Sequence, residues 1–309
     1  MQASAPGSLM LLGEHAVLHG RRALVCAIDQ RINVEVFQTL EETLKIDSAL
    51  GTYEAPLDDL NDHPDFRFVL DAVKQYPQEQ GIELKITSEF SSDIGFGSSA
   101  AVTVATHAAL MNFPRSRTSA TDDCRAGAET PPLDKEELFK RSLATIHRVQ
   151  GRGSGADVAA SVFGGVVAYR ADPLEIHPMS ESFPLTAVYS GSKMKTVDVI
   201  HHLEERRALN ADYFEKIFDR MDASVGEVLE NFPMLGKNLI LNQKLMEEVG
   251  LCNAALTEII QEFQGLEIPA KISGSGLGDC AIGLAKVPSI GTFATYALQV
   301  EPQGAVVSL

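Results

Sequence analysis

The chain has 309 residues, of which 45% are hydrophobic and 22% charged, and it contains no tryptophan. This composition is typical of a soluble globular protein with one large domain or two of ordinary size. The formal net charge of −16 argues against nucleic acid or an anionic membrane as a partner, because both repel a negative surface.

Three features of the sequence predict the cellular compartment of the protein. No apolar run approaches the roughly 20 residues that a membrane span needs, and the N-terminal segment MQASAPGSLMLLGEHAV lacks the basic start of a secretion signal. The cysteines have no CxxC spacing, so neither a zinc site nor a disulfide framework is indicated; they are Cys26, Cys124, Cys252 and Cys280. We therefore expect a cytoplasmic protein with no membrane partner.

The first third of the chain predicts several strands and one helix before a glycine-rich turn. Strands are predicted at 8–13, 23–29, 32–38 and 43–48, an acidic loop at 54–64, and a helix near 66–77. The segment IELKITSEF (82–90) alternates apolar and polar residues, as a strand does, and leads into GFGSSAAV (95–102) and an alanine-rich helix. Ser98 and Ser99 are placed to cap that helix. Such a turn is a natural anion site, although an ordinary capped turn fits these residues as well.

The rest of the chain mixes helices and strands. The polar segment 114–134 has no hydrophobic period and predicts a long surface loop, and Asp134 is expected to cap a helix over 135–150. The segment 151–170 combines glycines, a capping Ser154, a short helix, a Gly-Gly stop and a strand. Further elements are predicted at 183–191, 196–208, 212–232, 238–250, 253–265 and 270–286. The absence of regular βαβ repeats favours an α+β protein over a doubly wound sheet.

Three glycine-containing loops carry a resemblance to a known family. They are APGSLMLLGEH (5–15), GFGSSAA (95–101) and SGSGLGDC (273–280), and none of them is a Walker A loop or a GxGxxG motif. In order and spacing they resemble the three signature motifs of the GHMP family of small-molecule kinases, and GEHAVLHG is most similar to mevalonate kinases. The resemblance implies an α+β, two-lobed GHMP kinase fold with the active site in the interdomain cleft. It also implies an N-terminal ATP-binding domain over 1–175 and a C-terminal domain over 176–309.

The resemblance assigns a role to each motif. The second motif would wrap the phosphates of ATP with its backbone and offer the Ser98 or Ser99 hydroxyl to phosphate or to Mg²⁺, while Asp157 matches the catalytic aspartate near the acceptor hydroxyl. The ATP-binding residues would be Gly95, Phe96, Gly97, Ser98, Ser99, Ala100 and Ala101. The substrate-binding residues would be Ser8, Glu14, His15, Gly274, Ser275 and Gly276.

The chemistry of phosphoryl transfer fits a carboxylate at residue 157. Asp157 lies in the first turn of its predicted helix, where the helix dipole and a nearby cation would keep it ionised. It could then orient an alcohol and accept its proton late, because the reaction needs alignment and charge neutralisation more than a strong base. Without the resemblance, a purely stabilising helix-start carboxylate would be the alternative.

Several positions depart from the pattern of the family. Mevalonate kinases usually have a lysine where this chain has Ser8 and a metal-binding glutamate where it has Ile146. Ser91 and Asp93 replace a proline and a glycine of the second motif. The stretch IHRVQGRGSGADVAASVFGG (146–165) instead resembles phosphomevalonate kinases. These departures bear on the substrate and on the metal site.

Other charged residues and histidines leave alternatives open. Arg148 and Arg152 could restore a positive charge near Asp157, and surface arginines are the alternative. Lys193, Lys195 and Thr196 could contact a substrate anion, although a solvated surface is favoured. Structural roles are favoured for three histidines without ligand spacing, which are His19, His107 and His147.

These observations predict an ATP-dependent kinase with ATP and Mg²⁺ as cofactors. Its substrate would be a small molecule, with the primary hydroxyl of mevalonate, in isoprenoid biosynthesis, as the leading acceptor. A phosphomevalonate kinase, another GHMP small-molecule kinase, and a catalytically silent ligand-binding relative are the alternatives. The family resemblance also allows a homodimer.

Overall fold

The structure, a computed structural model, describes residues 1–114 and 132–308. Most of the surface loop predicted over 114–134 therefore lies outside the described residues. The strands are β1 (Gln2–Leu12), β2 (Ala23–Gln38), β3 (Thr43–Ser48), β4 (Gly51–Pro56), β5 (Ile82–Ser88), β6 (Val166–Arg170), β7 (Glu175–Met179), β8 (Pro184–Tyr189), β9 (Ala270–Ser273), β10 (Cys280–Gly283), β11 (Ala294–Gln299) and β12 (Val306–Ser308). The helices are α1 (Arg67–Lys74), α2 (Ser98–Asn112), α3 (Lys135–Gln150), α4 (Ala156–Phe163), α5 (Thr196–Leu209), α6 (Ala211–Glu230), α7 (Leu235–Glu248) and α8 (Ala254–Gly265). Of these described helices, none has the length and apolar character needed to cross a membrane.

Two sheets organise the described residues. The first sheet has the order β12-β1-β2-β5-β3-β4, with β6 paired to β2 and β7 paired to β6. Its β3 and β5 run parallel, whereas its other neighbours run antiparallel. The second sheet is antiparallel, with the order β11-β8-β10-β9. The predicted α+β class is confirmed.

Strand β1 lies between two layers of the core, so both of its faces are buried. Met10 belongs to the core that helices α1–α4 form on one face of the first sheet. Leu9 and Leu11 belong to a second core, which reaches the other sheet through Leu185 and Ile282. Helices α5–α8 cover the far face of the second sheet. The first glycine motif, which is part of β1, is thereby fixed between the two halves of the molecule.

Most predicted elements are present, and the differences have local causes. The strands predicted at 23–29 and 32–38 form the single strand β2. Its polar middle stays in the sheet because Asp29 accepts a hydrogen bond from the Gln299 amide (3.0 Å) and Arg31 donates one to the Ser4 hydroxyl (3.0 Å). Part of the predicted acidic loop at 54–64 belongs to β4, and β7, β11 and β12 were not predicted, because these short strands lack a regular apolar alternation. The predicted cap of α3 is confirmed, since Asp134 accepts a hydrogen bond from the Glu137 amide (3.0 Å).

A buried histidine joins three helices of the first core. Thr145 donates its hydroxyl hydrogen to Asp71 (2.7 Å), so the Nε2–H of His107 must donate to Thr145 (3.0 Å). The Nδ1 of His107 then accepts from the Tyr76 hydroxyl (2.9 Å). Burial lowers the pKa of His107 to about 3, which keeps the ring neutral and fixes its tautomer. The structural role predicted for this histidine agrees with these contacts.

The neutral state of His107 predicts an acid-dependent loss of stability. Between pH 6 and pH 4 the unfolded chain protonates this ring while the folded chain does not. The free energy of unfolding therefore decreases as the pH is lowered, by up to about 1.4 kcal/mol per pH unit. The variant His107→Gln removes this linkage. Urea denaturation at several pH values should give a shallower acid slope for the variant than for the parent, and equal slopes would contradict the assignment.

Candidate active site

An irregularity in β1 brings three parts of the chain together. The pairing of β1 with β2 shifts register between Pro6 and Ser8, and such bulges re-aim side chains. The Ser8 amide donates to the Phe96 carbonyl (3.0 Å), and the Ser161 hydroxyl donates to the Pro6 carbonyl (2.8 Å). Gly7 permits this approach, because a Cβ at residue 7 would lie 2.7 Å from the Phe96 oxygen. The bulge therefore fixes Ser8 close to the start of α2 and ties it to α4.

Helix α2 begins with an open set of backbone donors. Gly97, with φ of 66°, occupies the N-cap position, so the predicted capping by Ser98 and Ser99 is wrong: both are helical residues. The Ala101 amide donates to the Gly97 carbonyl (3.0 Å), which leaves the amides of residues 97–100 without a hydrogen-bond partner among the described residues. The two serine hydroxyls likewise have no hydrogen bond within the described part of the chain. This helix start can bind an anion.

The other residues predicted at this loop can act only through their backbones or their shape. The Phe96 side chain is buried between the rings of Phe90 and Tyr296, and Ala100 and Ala101 are buried in the cores. Because the Ala101 amide already closes the first turn, the predicted nucleotide contact moves to the amides that precede it.

Asp157 lies in the first turn of α4, as predicted. The Ser8 hydroxyl donates a hydrogen bond to its Oδ1 (2.9 Å), so the first glycine motif and the helix-start carboxylate meet directly. Burial raises the pKa of Asp157, and the Ser8 hydrogen bond opposes that rise. Of the two arginines considered as compensating cations, Arg148 does not serve here, because it forms an ion pair with Asp71 (2.8 Å), and the role of Arg152 stays a prediction.

The contact between Ser8 and Asp157 predicts a change in the pH profile. The variant Ser8→Ala removes the hydrogen bond that lowers the pKa of Asp157, so the acidic limb of kcat/KM should move to higher pH. The matched variant Ser91→Ala deletes an exposed hydroxyl in the segment that precedes α2. This variant should leave the acidic limb of kcat/KM at the same pH. An unchanged limb in Ser8→Ala would show that this serine does not tune the carboxylate.

Glu14 has a partner inside the protein. Its side chain is only 2% exposed, forms an ion pair with the buried Lys271, and accepts a hydrogen bond from the Asn242 amide (3.0 Å). Burial raises the pKa of Glu14 and lowers that of Lys271, while their attraction opposes both changes. The pair ties the first motif to β9, and a direct contact of Glu14 with substrate stays a prediction.

His15 joins the first motif to the third. Its Nε2 lies 2.8 Å from the Ser275 carbonyl oxygen, and burial lowers its pKa, which favours the neutral ring. The Ser275 hydroxyl is buried without a hydrogen-bond partner in the described residues. Gly274 has open space where a side chain would point, whereas a Cβ at Gly276 would lie 2.7 Å from the Leu251 oxygen. Gly274 thus faces free space, the Ser275 hydroxyl is enclosed, and Gly276 packs against its neighbour.

One further residue of the site, Asp279, was not assigned a role from the sequence. A Cβ at Gly95 would lie 2.9 Å from the Cβ of Asp279, so the third motif packs directly against the second. The Lys193 ammonium, which was considered as a contact for a substrate anion, donates to the Ser92 carbonyl (2.9 Å); burial raises the pKa of Asp279, and the charge of Lys193 opposes that rise. The sequence signal was the acidic residue inside SGSGLGDC, an unusual choice in a loop expected to face phosphate.

The residues present fit a magnesium ion, although no group of three or more His, Cys, Asp or Glu side chains gathers within the described ranges. Magnesium bound with a nucleotide takes most of its ligands from phosphate and water, and one or two oxygens from the protein suffice. The hydroxyls of Ser98 and Ser99 and a buried, unpartnered oxygen of Asp279 are such oxygens.

Comparisons with known proteins agree with this architecture. The protein-family model described as GHMP kinases N terminal domain matches residues 66–165. The family model described as GHMP kinases C terminal matches residues 223–291. The mevalonate kinase of Archaeoglobus fulgidus is 35% identical over 93% of this chain and 93% of its own. The mevalonate kinase of Saccharolobus solfataricus is 27% identical over 93% of this chain and 90% of its own. The crystal structure of Methanococcus jannaschii mevalonate kinase superposes with a TM-score of 0.80 at 21% identity, covering 97% of this chain and 98% of that one.

Proposed function

The chain belongs to the GHMP kinase family, and from that premise we propose that it transfers a phosphoryl group from ATP to the primary hydroxyl of mevalonate. Its similarity to archaeal mevalonate kinases over nearly the whole length supports this acceptor. The observation that carries the proposal is the hydrogen bond between Ser8 and Asp157 beside the amides that open α2, which have no hydrogen-bond partner among the described residues. An anion site and a carboxylate stand together, as this reaction requires.

Each group of the site then has a task. The amides of residues 97–100 bind the triphosphate and keep it aligned, with dipoles that need no reorganisation. Asp157 orients the acceptor hydroxyl and receives its proton at a carboxylate oxygen, and its raised pKa suits it to that role. Ser8 positions Asp157, and the unpartnered Ser275 hydroxyl is available to a polar group of the substrate.

We propose that Ser98 and Ser99 offer their hydroxyls to magnesium, which would neutralise negative charge on the phosphates when bound. We propose that residues 95–100 form the nucleotide site, with the Ala101 amide closing the first turn of α2, and that the substrate residues of the first and third motifs are those assigned above. We also propose a division into domains at residues 1–175 and 176–309, a cytoplasmic location, a homodimer, and no nucleic acid or membrane partner. These proposals rest on family membership and on the charge of the chain.

The acceptor is tested by measuring ADP release with mevalonate and with phosphomevalonate. We expect turnover with mevalonate, with kcat/KM at least about 100-fold above that for phosphomevalonate, because an added phosphate needs its own cationic site. Phosphorus NMR of the product should show a phosphate monoester on the primary hydroxyl. Turnover with neither compound would contradict the proposal.

A second candidate is a phosphomevalonate kinase. The segment 146–165, which contains Asp157, resembles that class, and Ser8 stands where mevalonate kinases usually have a lysine. This candidate predicts the opposite preference in the same assay. Activity with phosphomevalonate alone would establish it in place of the first.

A further inference from the structure

Asp279 is a buried carboxylate of the third motif. It is only 6% exposed, and its Oδ1 is enclosed without a partner among the residues described. Unpartnered buried oxygens are costly, and a charged one more so. A protein that keeps such a group in a cleft leaves it available for a ligand.

The direction of this side chain identifies the kind of ligand. A Cβ at Gly95 would lie 2.9 Å from the Asp279 Cβ and 3.3 Å from its Oδ1, so the Asp279 side chain lies against the loop whose amides open α2. That loop suits anions, and a bare carboxylate there would repel a triphosphate. Burial raises the pKa of Asp279, the charge of Asp157 adds to the rise, and Lys193 opposes it. A divalent cation between carboxylate and phosphate would remove the repulsion.

We propose that Asp279 is a magnesium ligand of this chain and supplies the carboxylate that the third motif contributes to the bound metal nucleotide. The inference rests on the proposed kinase function and adds to the serine hydroxyls of α2 an acidic ligand from the opposite side of the cleft. Hard oxygen ligands, one or two of them carboxylates, are what magnesium takes beside nucleotide phosphates.

The backbone of Asp279 has a φ of 58°, which lies in a region that asparagine and glycine also adopt readily. Asparagine and glycine at residue 279 should therefore fit the same loop, so that a loss in either variant reports on the carboxylate.

The test measures metal binding directly. Manganese(II) is titrated into the protein with a fixed amount of the non-hydrolysable analogue AMPPNP, and free manganese is followed by its EPR signal. Loss of an indirect contact already costs metal sites about 10–100-fold in affinity, so Asp279→Asn and Asp279→Gly should each weaken binding by roughly tenfold or more. The control Asp93→Asn removes an exposed carboxylate beside the same loop and should stay within about twofold of the parent.

The outcomes separate this inference from the proposed function. The affinity for AMPPNP without metal should not fall in Asp279→Asn, since the variant loses only a negative charge. Parent-like manganese binding by Asp279→Asn would overturn the inference and would favour a protonated Asp279 that donates a hydrogen bond, which asparagine can replace. Equal losses in Asp279→Asn and Asp93→Asn would also overturn it, as an effect of net charge. If the unmodified protein binds no AMPPNP at all, the proposed kinase function itself fails.

Discussion

Replacing Asp157 with asparagine should lower kcat by about 10²–10⁴-fold, the range over which a positioned general base contributes. Asparagine has nearly the same shape and can still accept the hydrogen bond from Ser8, but it cannot take the proton of the acceptor hydroxyl. Nucleotide affinity, measured by isothermal titration calorimetry, should stay within about twofold of the parent, because we propose that the amides of α2 bind the phosphates.

A matched control separates catalysis from helix stabilisation. Asp212 also lies in the first turn of a helix, α6, and its side chain is exposed. Asp212→Asn should reduce the free energy of unfolding by a few tenths of a kcal/mol and leave kcat unchanged. If Asp157→Asn behaves in the same way, with lower stability and a kcat within tenfold of the parent, then Asp157 is a helix-start residue and not the catalytic one.

The second large effect is expected at the start of α2. Gly97 adopts a positive φ of 66°, and a Cβ at this residue would run into the Ser8 hydroxyl. The variant Gly97→Ala must shift either the loop at residues 95–97 or Ser8. Displacements of about 1 Å in an active site cost on the order of 100-fold in activity. We expect kcat/KM for ATP to fall by about that factor.

Gly151 provides the control for backbone strain alone. It also has a positive φ, of 77°, but nothing lies within 4 Å of the position its Cβ would take. Gly151→Ala should cost about 1 kcal/mol in stability with no change in the KM for ATP. Similar kinetics for the two variants would show that the contact between Gly97 and Ser8 has no part in nucleotide binding.

The features that could be predicted from the sequence are local ones. Asp157 lies in the first turn of α4, and Asp134 caps α3, because a capping side chain bonds to an amide two or three positions further along the chain. The glycine and serine pattern of 95–101 marked a strand-to-helix turn for the same reason. Within that turn the sequence could not show whether glycine or serine occupies the cap, since both are favoured there.

Contacts between distant parts of the chain could not be predicted in this way. Glu14 and Lys271 are 257 positions apart, and only the packing of β9 against β1 brings them together. Arg148 could as well have faced Asp157, but Asp71 on α1 binds it instead. The role proposed for Asp279 depends on an Oδ1 that has no hydrogen-bond partner among the described residues, which a motif cannot reveal.

The central claim is that the amides opening α2 hold a nucleotide's phosphates in line with an alcohol bound at Asp157. A crystal structure with AMPPNP and mevalonate tests it most directly. We expect phosphate oxygens within about 3 Å of the amide nitrogens of residues 97–100, and the primary hydroxyl in hydrogen-bond contact with Asp157. A triphosphate bound elsewhere, or an acceptor hydroxyl out of reach of Asp157, would contradict the claim.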